Sequence, residues 1–437
     1  MHYRIKNDKF VISFSYGRYI TGVGGTDKAV WDQQHLLNAS GISYVFFYPI
    51  AGINKLLKFH NGNMWGIIID GEDQGLINTK EIIYLLHVFQ KKNINFCGII
   101  IHHLNNIAIK EFETILDATE GRIFWFLHDY MTICPWGGLI DSSDNYCGSS
   151  FPCDEKCSGC KKYVKGLQVA CRQLVYKYAN RTMFIAPSEA AKAEWGKSYK
   201  DLGELVHVIE HKIPTGRYIG NQELLGDDET IRIAFVGYSR NLKGWDYWKN
   251  AAVAAYKARK NESFFQFGTT REHFDHVKEI FVDFKKSETS MTDALRKEKI
   301  HCAVLWSVWP ETFSYTYYEA WASNCFILTN RESGNIAVQV EKNGNGFVAE
   351  SPSELTNLLG SETHLREMIN TYRSNRKVAP DRLIDNEEIK FLVVAQRCKV
   401  HTEARIKIFR RLLHKLWNIS YYLDRKRRQQ KSRGQNS

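Results

Sequence analysis

Short apolar runs alternate with amphipathic stretches over most of this chain. The runs at 10–15, 65–70 and 96–103 are rich in Phe, Ile and Val, and each ends in a polar residue. Continuous apolar runs of this length predict strands that are buried on both faces of a sheet. The stretch at 80–89 instead has the spacing of a helix. Strands that alternate with helices in this way predict a doubly wound parallel sheet of the Rossmann type.

The alternation is interrupted once, at the polar and acidic residues 224–230, which we interpret as a linker. Because 437 residues exceed what one hydrophobic core usually holds, we predict two lobes. The predicted divisions are an N-terminal lobe at 1–224 with a cysteine-rich insert at 134–160, a C-terminal lobe at 225–388, and a basic amphipathic helix and tail at 389–437.

The positive charge of the chain is concentrated at its end. The net charge is +11, and residues 401–437 contain eleven Lys or Arg against two acids. A nearly neutral body does not favour a nucleic-acid groove, and we expect no nucleic-acid partner. No apolar run approaches the ~18 residues of a membrane span, and we identify no signal peptide. These features predict a cytoplasmic protein.

Two glutamates follow a predicted buried strand at 301–306. Pro310 ends that strand, and a helix is expected to begin at Thr312 or Phe313. Glu311 and Glu319 are eight residues apart, roughly two helical turns, so both carboxylates are expected on one face. A strand end that meets a helix N-terminus suits phosphate groups. Two carboxylates at such a place are suited to accept hydrogen bonds from hydroxyls, as on a ribose and a hexose.

This segment resembles the retaining glycosyltransferases of family four, which have the GT-B fold. The resemblance rests on Ser307-Val-Trp-Pro, then a Glu, seven residues and a second Glu, and then Ala-Trp-Ala. It implies two Rossmann-like lobes with the active site in the cleft between them. It also implies transfer of a hexosyl unit, with retention, from a UDP-, GDP- or dTDP-sugar. The implied acceptor is a glycan or a lipid-linked sugar in cell-surface polysaccharide synthesis.

The resemblance also implies roles for particular residues. Glu319 is expected to bind the ribose, and Glu311 and His128 the donor sugar. The donor diphosphate is expected to lie near the glycine turn at Gly24 and Gly25, near the backbone of Phe313 and Ser314, and near a basic pair. Lys243 matches one member of that pair; the family's Arg position is Tyr238 here, so Arg240 is the substitute candidate.

Two further features bear on the pocket. His102, His103 and His128 lie at the ends of predicted strands, where doubly wound sheets bind ligands. No Asp-x-Asp metal motif is present, so positive charge is expected from Lys, Arg and helix ends instead of a catalytic divalent ion.

Five of the ten cysteines fall in the insert. Cys157-Ser-Gly-Cys160 has the spacer of a zinc knuckle, and Cys134 and Cys147 could complete four tetrahedral ligands. A subset of the resembled family carries a similar insert, and Cys153 is extra to its pattern. A zinc ion here would be structural, because four thiolates leave no open position. Reduced, unligated thiols are the alternative.

The tail combines basic residues with an apolar stripe of helical period, including Phe409, Leu413 and Leu416. Such a helix can lie on an anionic membrane surface, which would make the protein peripheral on the inner face of the cell membrane. It could equally pack on the first lobe. Two other function classes stay open, namely a sugar-nucleotide epimerase of GT-B-like fold and a non-catalytic adaptor for membrane or nucleic acid.

Overall fold

A computed structural model describes most of the chain. The described residues are 3–50, 64–149, 157, 159–160, 166–217, 224–258, 260–268, 273, 275–285, 290–375, 380–394 and 396–400. Cys153 and the basic tail at 401–437, which carries the membrane prediction, lie outside them. Within the described residues, no helix is long and apolar enough to cross a membrane.

An eight-stranded sheet forms the centre of the first lobe, in the order β4-β3-β2-β1-β5-β6-β7-β8. Its strands are β1 (Lys9–Phe14), β2 (Ile42–Pro49), β3 (Met64–Ile69), β4 (Glu72–Asn78), β5 (Asn95–Ile101), β6 (Ile123–Phe126), β7 (Thr182–Ala186) and β8 (Val206–Val208). The helices are α1 (Gly25–Ala39), α2 (Thr79–Lys91), α3 (Ile109–Asp117), α4 (Leu167–Tyr178) and α5 (Glu189–Gly196). Apolar side chains are buried on both faces of the sheet, as the continuous runs predict.

One edge of this sheet departs from the predicted parallel arrangement. β3 is antiparallel to both β2 and β4. Asp70 and Gly71 join β3 to β4 with φ angles of 51° and 85°. Two successive residues with positive φ are typical of the tight hairpin turn whose twist matches its strands. The run at 65–70 is therefore followed by a hairpin before α2, and not directly by the helix that the alternation predicts.

The second lobe has a six-stranded sheet, in the order β12-β11-β10-β13-β14-β15, with every pair parallel. The strands are β10 (Ile231–Val236), β11 (Glu262–Phe267), β12 (Val277–Ile280), β13 (Cys302–Val304), β14 (Phe326–Asn330) and β15 (Gly346–Ala349). The helices are α6 (Trp245–Lys257), α7 (Ser290–Lys297), α8 (Tyr315–Ala322), α9 (Asn335–Asn343), α10 (Pro352–Gly360) and α11 (Glu362–Asn375). The two doubly wound sheets confirm the predicted fold class.

A small two-stranded sheet lies where the chain crosses between the lobes. β9 (Lys212–Thr215) leaves the first lobe and pairs antiparallel with β16 (Arg382–Asp385), which comes back from the second. The helix α12 (Glu388–Val394) follows, and its Ile389 and Val393 are buried in the first-lobe core. Beyond it, the backbone N–H of Cys398 donates to Phe96 O at 2.8 Å. The described chain therefore ends on the first lobe.

Candidate active site between the lobes

Glu311 lies in the loop between β13 and α8, outside the helix. The helix begins at Tyr315, later than the sequence predicts, so Glu311 and Glu319 do not share a helix face. Ser314 precedes the helix with a φ of 70°, a left-handed backbone that L-residues seldom adopt. This turn replaces the first helical turn that the sequence pattern predicts. The carboxylates of Glu311 and Glu319 therefore lie in different environments.

The start of α9 holds this loop in place. The backbone N–H of Asn335 donates to Glu311 O at 2.9 Å, and its side-chain amide donates to Phe313 O at 2.8 Å. Gly334 has a φ of 61°, and a Cβ there would come 2.6 Å from the backbone of Pro310 and Glu311. Only glycine permits this close approach. The backbone of residues 310–313 is thus fixed by contacts that cross from α9.

The same loop makes the contact between the lobes. Thr312 Oγ1 donates to the backbone oxygen of His128 at 2.9 Å. Ser188 Oγ, at the start of α5, donates to Thr312 O at 2.7 Å. Both partners belong to the first lobe, and all of these groups are buried. The structure therefore brings the segment that contains Glu311 against the strand end that contains His128, as the sequence predicts for a cleft site.

Glu311 is paired with Lys243, which lies in a short 3-10 helix at Asn241–Lys243. Its carboxylate also accepts from Ser307 Oγ at 2.8 Å. The side chain of Glu311 is 6 % exposed and that of Lys243 is 40 % exposed. Arg240 does not join this pair: it is exposed, and its guanidinium stacks over the Tyr238 ring at 4.5 Å. Of the two candidates for the basic pair that the resemblance implies, Lys243 therefore lies beside Glu311 and Arg240 does not.

The N-termini of α1 and α8 meet at the boundary between the lobes. A Cβ on Gly25 would lie 3.9 Å from the Tyr315 ring. The N–H of Gly24 is already used, since it donates to the capping carboxylate of Asp27 at 3.0 Å. The N–H of Gly25 has no hydrogen-bond partner among the described residues. Of the two predicted phosphate-binding amides, Gly25 is thus the one that remains available.

Glu319 is directed at the first lobe. Its side chain is buried, and burial raises the pKa of the carboxyl above its ordinary value. Lys28 and Lys212 oppose this rise, while Asp32 adds to it. The ammonium group of Lys28 also lies 5.2 Å from the centre of the Tyr315 ring. The second carboxylate of the predicted pair is therefore surrounded by charges from α1 and β9.

Sequence reasoning missed the charged residues of this boundary. Lys212 Nζ lies 3.1 Å from Asp32 Oδ2 and 2.7 Å from Asp385 Oδ1, with Lys212 only 3 % exposed. Asp32 is in α1, Lys212 in β9 and Asp385 in β16. Their ion pairs therefore connect both strands that link the two lobes to a helix of the first lobe. Lys28 follows the glycine turn closely enough to be noticed, but nothing in the sequence around Asp32 or Lys212 indicates that they are buried together.

The three histidines expected at strand ends separate into two environments. His102 and His128 are in direct contact, with His102 Nδ1 2.8 Å from His128 Nε2. His211, which the sequence analysis did not single out, packs against His128 with ring centres 4.9 Å apart and the rings tilted by 35°. His103 instead pairs with Asp129, Nε2 to Oδ2 at 2.9 Å. His128 is thus part of a buried imidazole cluster and not an isolated side chain.

The cysteine insert gives no support to zinc in the described residues. Among them, no group of three or more His, Cys, Asp or Glu side chains is arranged to hold a metal ion. Cys134, Cys147, Cys157 and Cys160 all belong to the described residues. Burial raises the pKa of the Cys134 thiol above its ordinary value. The zinc site that the sequence predicts is therefore not supported by the described residues.

Comparisons with known proteins place the chain by its fold. No family model matches the sequence, and no curated protein sequence matches it. Solved structures do: a sucrose-phosphate synthase from Thermosynechococcus elongatus shares 11 % identity, with 84 % of this chain and 93 % of that chain aligned and a TM-score of 0.51. The Anabaena protein HepE in complex with UDP-glucose has 12 % identity, the same two coverages and a TM-score of 0.48. WaaG, a glycosyltransferase involved in lipopolysaccharide biosynthesis, has 12 % identity, coverages of 84 % and 96 %, and a TM-score of 0.44.

The two lobes, their parallel sheets and the returning C-terminal helix together form a GT-B fold. Glu311 with its partner Lys243, Glu319 and His128 all lie at the boundary between these two lobes.

Proposed function

We propose that this protein is a glycosyltransferase that moves a hexosyl unit from a nucleotide-sugar to a glycan acceptor, with retention of the anomeric configuration. The observation that carries the proposal is the arrangement at the lobe boundary. Two buried carboxylates, Glu311 and Glu319, flank the N-terminus of α8. The Lys243 ammonium group is paired with Glu311, and charged residues of the first lobe surround Glu319. A GT-B fold makes this boundary the substrate cleft.

In the proposed complex, Lys243 binds the donor diphosphate together with the backbone N–H groups at Phe313, Ser314 and Gly25. A diphosphate would take the place that Glu311 now has beside Lys243. Glu311 is then released to accept hydrogen bonds from the donor sugar. The charge that develops on the leaving phosphate is stabilised by this lysine and these helix ends, so no divalent ion is required.

Glu319 is proposed to accept hydrogen bonds from the ribose. The pKa of Glu319 is raised because the buried carboxylate has lost hydrogen bonds to water. Hydroxyl groups of a ribose would replace those hydrogen bonds, so their binding is favoured. His128 completes the site from the first lobe, where it is proposed to bind a hydroxyl of the transferred sugar. The departing phosphate is proposed to accept the acceptor's proton on the same face, so no side-chain nucleophile is assigned.

The proposed acceptor is a lipid-linked sugar in the synthesis of a cell-surface polysaccharide. The support is the basic amphipathic tail, whose charge is suited to anionic lipid at ~1 kcal/mol per Lys or Arg near the surface. The protein would then be cytoplasmic and peripheral on the inner face of the membrane. Full-length protein is expected to cosediment with anionic vesicles, less so as salt rises, and truncation after residue 400 should abolish this. If the full-length protein does not bind such vesicles at low salt, the result would instead favour packing of the tail on the first lobe.

Nucleotide binding tests the core of the proposal. Calorimetry with UDP, GDP and dTDP is expected to find one nucleotide that binds to the full-length protein. Glu319→Gln should weaken that nucleotide by about one to two orders of magnitude, because a charged hydrogen bond contributes ~1.5–3 kcal/mol. Glu262→Gln is the matched control, since Glu262 is also a glutamate of the second lobe with buried carboxylate oxygens and a raised pKa but lies at the start of β11.

Three outcomes separate the possibilities. Weakening by Glu319→Gln alone supports the assignment, whereas equal effects of both variants would reduce it to a folding effect. Binding of none of the three nucleotides would refute the proposed function and favour a non-catalytic adaptor. Turnover of a nucleotide-sugar without any acceptor, with inversion of one sugar carbon, would identify an epimerase.

A further inference from the structure

A continuous chain of buried polar side chains leads from the first-lobe sheet to His128. Ser13 Oγ lies 2.8 Å from Tyr44 Oη, which donates to Gln33 Oε1 at 3.0 Å. His102 Nε2 lies 3.1 Å from the same Gln33 oxygen and 3.0 Å from Tyr44 Oη. The other nitrogen of His102, Nδ1, lies 2.8 Å from His128 Nε2. All five side chains are buried.

Both imidazoles of this chain are uncharged at neutral pH. Burial lowers the pKa of His102 to about 3, with His211 and His103 as further causes, and it lowers the pKa of His128 well below its ordinary value. A neutral imidazole carries one proton, so one nitrogen donates and the other accepts. The position of each proton then follows from the neighbour that each nitrogen faces.

The proton positions can be assigned along the chain in order. The amide oxygen of Gln33 can only accept, so its contact with His102 Nε2 requires the proton to be on Nε2. His102 Nδ1 therefore has a lone pair, and the contact with His128 requires that His128 Nε2 donates. Neutral His128 is then left with an unprotonated Nδ1.

The remaining ring nitrogen of His128 is not used by the first lobe. Its Nδ1 has no hydrogen-bond partner among the described residues. His128 lines a cavity of about 30 Å³ that is also bordered by Tyr315 of the second lobe and by His211. The group offered there is a lone pair with no positive charge. An anionic oxygen would be repelled by it, whereas a hydroxyl can donate to it.

We infer that Gln33 and His102 are positioning residues that hold His128 as the Nε2–H tautomer, so that His128 presents a neutral acceptor that selects a hydroxyl and rejects an anionic group. The identity of that hydroxyl as one on the transferred sugar rests on the proposed function. The tautomer itself does not. A ligand with phosphate or carboxylate at this position is therefore excluded by the direction of the hydrogen bonds.

Imidazole nitrogen shifts measure the tautomer directly in the full-length protein without any ligand. With selectively ¹⁵N-labelled histidine, and with the His128 signals assigned by their loss in His128→Gln, we expect a pyridine-like shift at Nδ1 and a pyrrole-like shift at Nε2. The same pattern is expected for His102. The reverse pattern, with the protons on both Nδ1 atoms, would mean that Gln33 donates through its amide nitrogen, and it would overturn the inference.

Variants of Gln33 test the positioning role. Gln33→Met removes the acceptor and should convert the His128 spectrum to a mixture of tautomers, whereas Gln33→Glu keeps an acceptor oxygen and should restore one form. Gln34→Met is the matched control, because Gln34 is the next residue of α1, is equally buried, and accepts from Tyr19 instead. A His128 spectrum that is unchanged in Gln33→Met would overturn the positioning role.

Binding then tests the selected ligand group. The probes are UDP-glucose, GDP-mannose and dTDP-glucose, each compared with its free nucleotide. Gln33→Met should weaken the bound nucleotide-sugar by about three- to tenfold, as expected for one neutral hydrogen bond, and leave the free nucleotide unchanged. Equal affinity of variant and wild type for the nucleotide-sugar would overturn the hydroxyl assignment. Wild-type protein that binds none of the probes would refute the proposed function, while the nitrogen shifts would still decide the tautomer.

Discussion

Removal of either partner from the Lys243–Glu311 pair should have unequal consequences, because the partners differ in exposure. The carboxylate side chain is 6 % exposed and the lysine 40 % exposed. Lys243→Met strands a buried carboxylate with only the Ser307 hydroxyl beside it. An unpaired charge in a fully buried site costs about 3–5 kcal/mol. Since water can reach this pair from the lysine side, we expect a loss of about 2–3 kcal/mol. Glu311→Gln leaves an ammonium that water can solvate, so its cost should stay below about 1 kcal/mol.

The double variant completes the cycle. With neither charge present, Lys243→Met combined with Glu311→Gln should be about as stable as Glu311→Gln alone, which gives a coupling of about 2–3 kcal/mol. Urea unfolding followed by tryptophan fluorescence measures the four proteins, and the chain has 11 tryptophans to report it. Equal losses for the two single variants, or additive losses in the double variant, would refute the argument that burial of Glu311 sets the asymmetry.

Three further predictions concern stability. Burial raises the pKa of Glu262 from 4.5 to about 8, so the folded state should lose stability as the pH rises from about 4.5 to 8. Glu262→Gln cannot ionise, so its stability relative to wild type should be about 3 kcal/mol greater at pH 7 than at pH 4. Curves of Tm against pH that run parallel for the two proteins would contradict this. Ser314→Gly should raise the Tm, because it relieves a left-handed backbone that costs ~1 kcal/mol, whereas Ser314→Val should lower it. Lys212→Met should cost up to about 3–5 kcal/mol in urea unfolding, because it removes the ammonium group that lies between Asp32 and Asp385, and Asp385→Asn in the same chain should recover part of that loss.

Much of the fold follows from short-range features of the sequence. Alternating apolar runs and amphipathic stretches predicted both sheets, because a strand or helix face is set by residues within a few positions of one another. The hairpin at Asp70 and Gly71 is equally local, since Asp-Gly after an apolar run is a hairpin signal, but the predicted alternation of strands and helices did not include it. The start of α8, in contrast, is not determined by neighbouring residues in the sequence. It is displaced to Tyr315 because the loop before it is held by α9, which follows in the sequence.

The candidate site divides in the same way. Residue type and spacing in the sequence indicated Glu311 and Glu319, and the family resemblance added Lys243. The tertiary structure decided which groups they face: Lys243 beside Glu311, and first-lobe charges beside Glu319.

The chain of side chains behind His128 was invisible in the sequence. It joins residues from α1, β2 and the ends of β5 and β6, and their order in space depends on how these elements pack. A hydrogen bond requires atoms about 3 Å apart, and residues as distant in sequence as Gln33 and His102 reach that separation only when the sheet and helix are assembled. The sequence therefore determined which chemical groups this protein has, and the packing of its two lobes decided which of them act together.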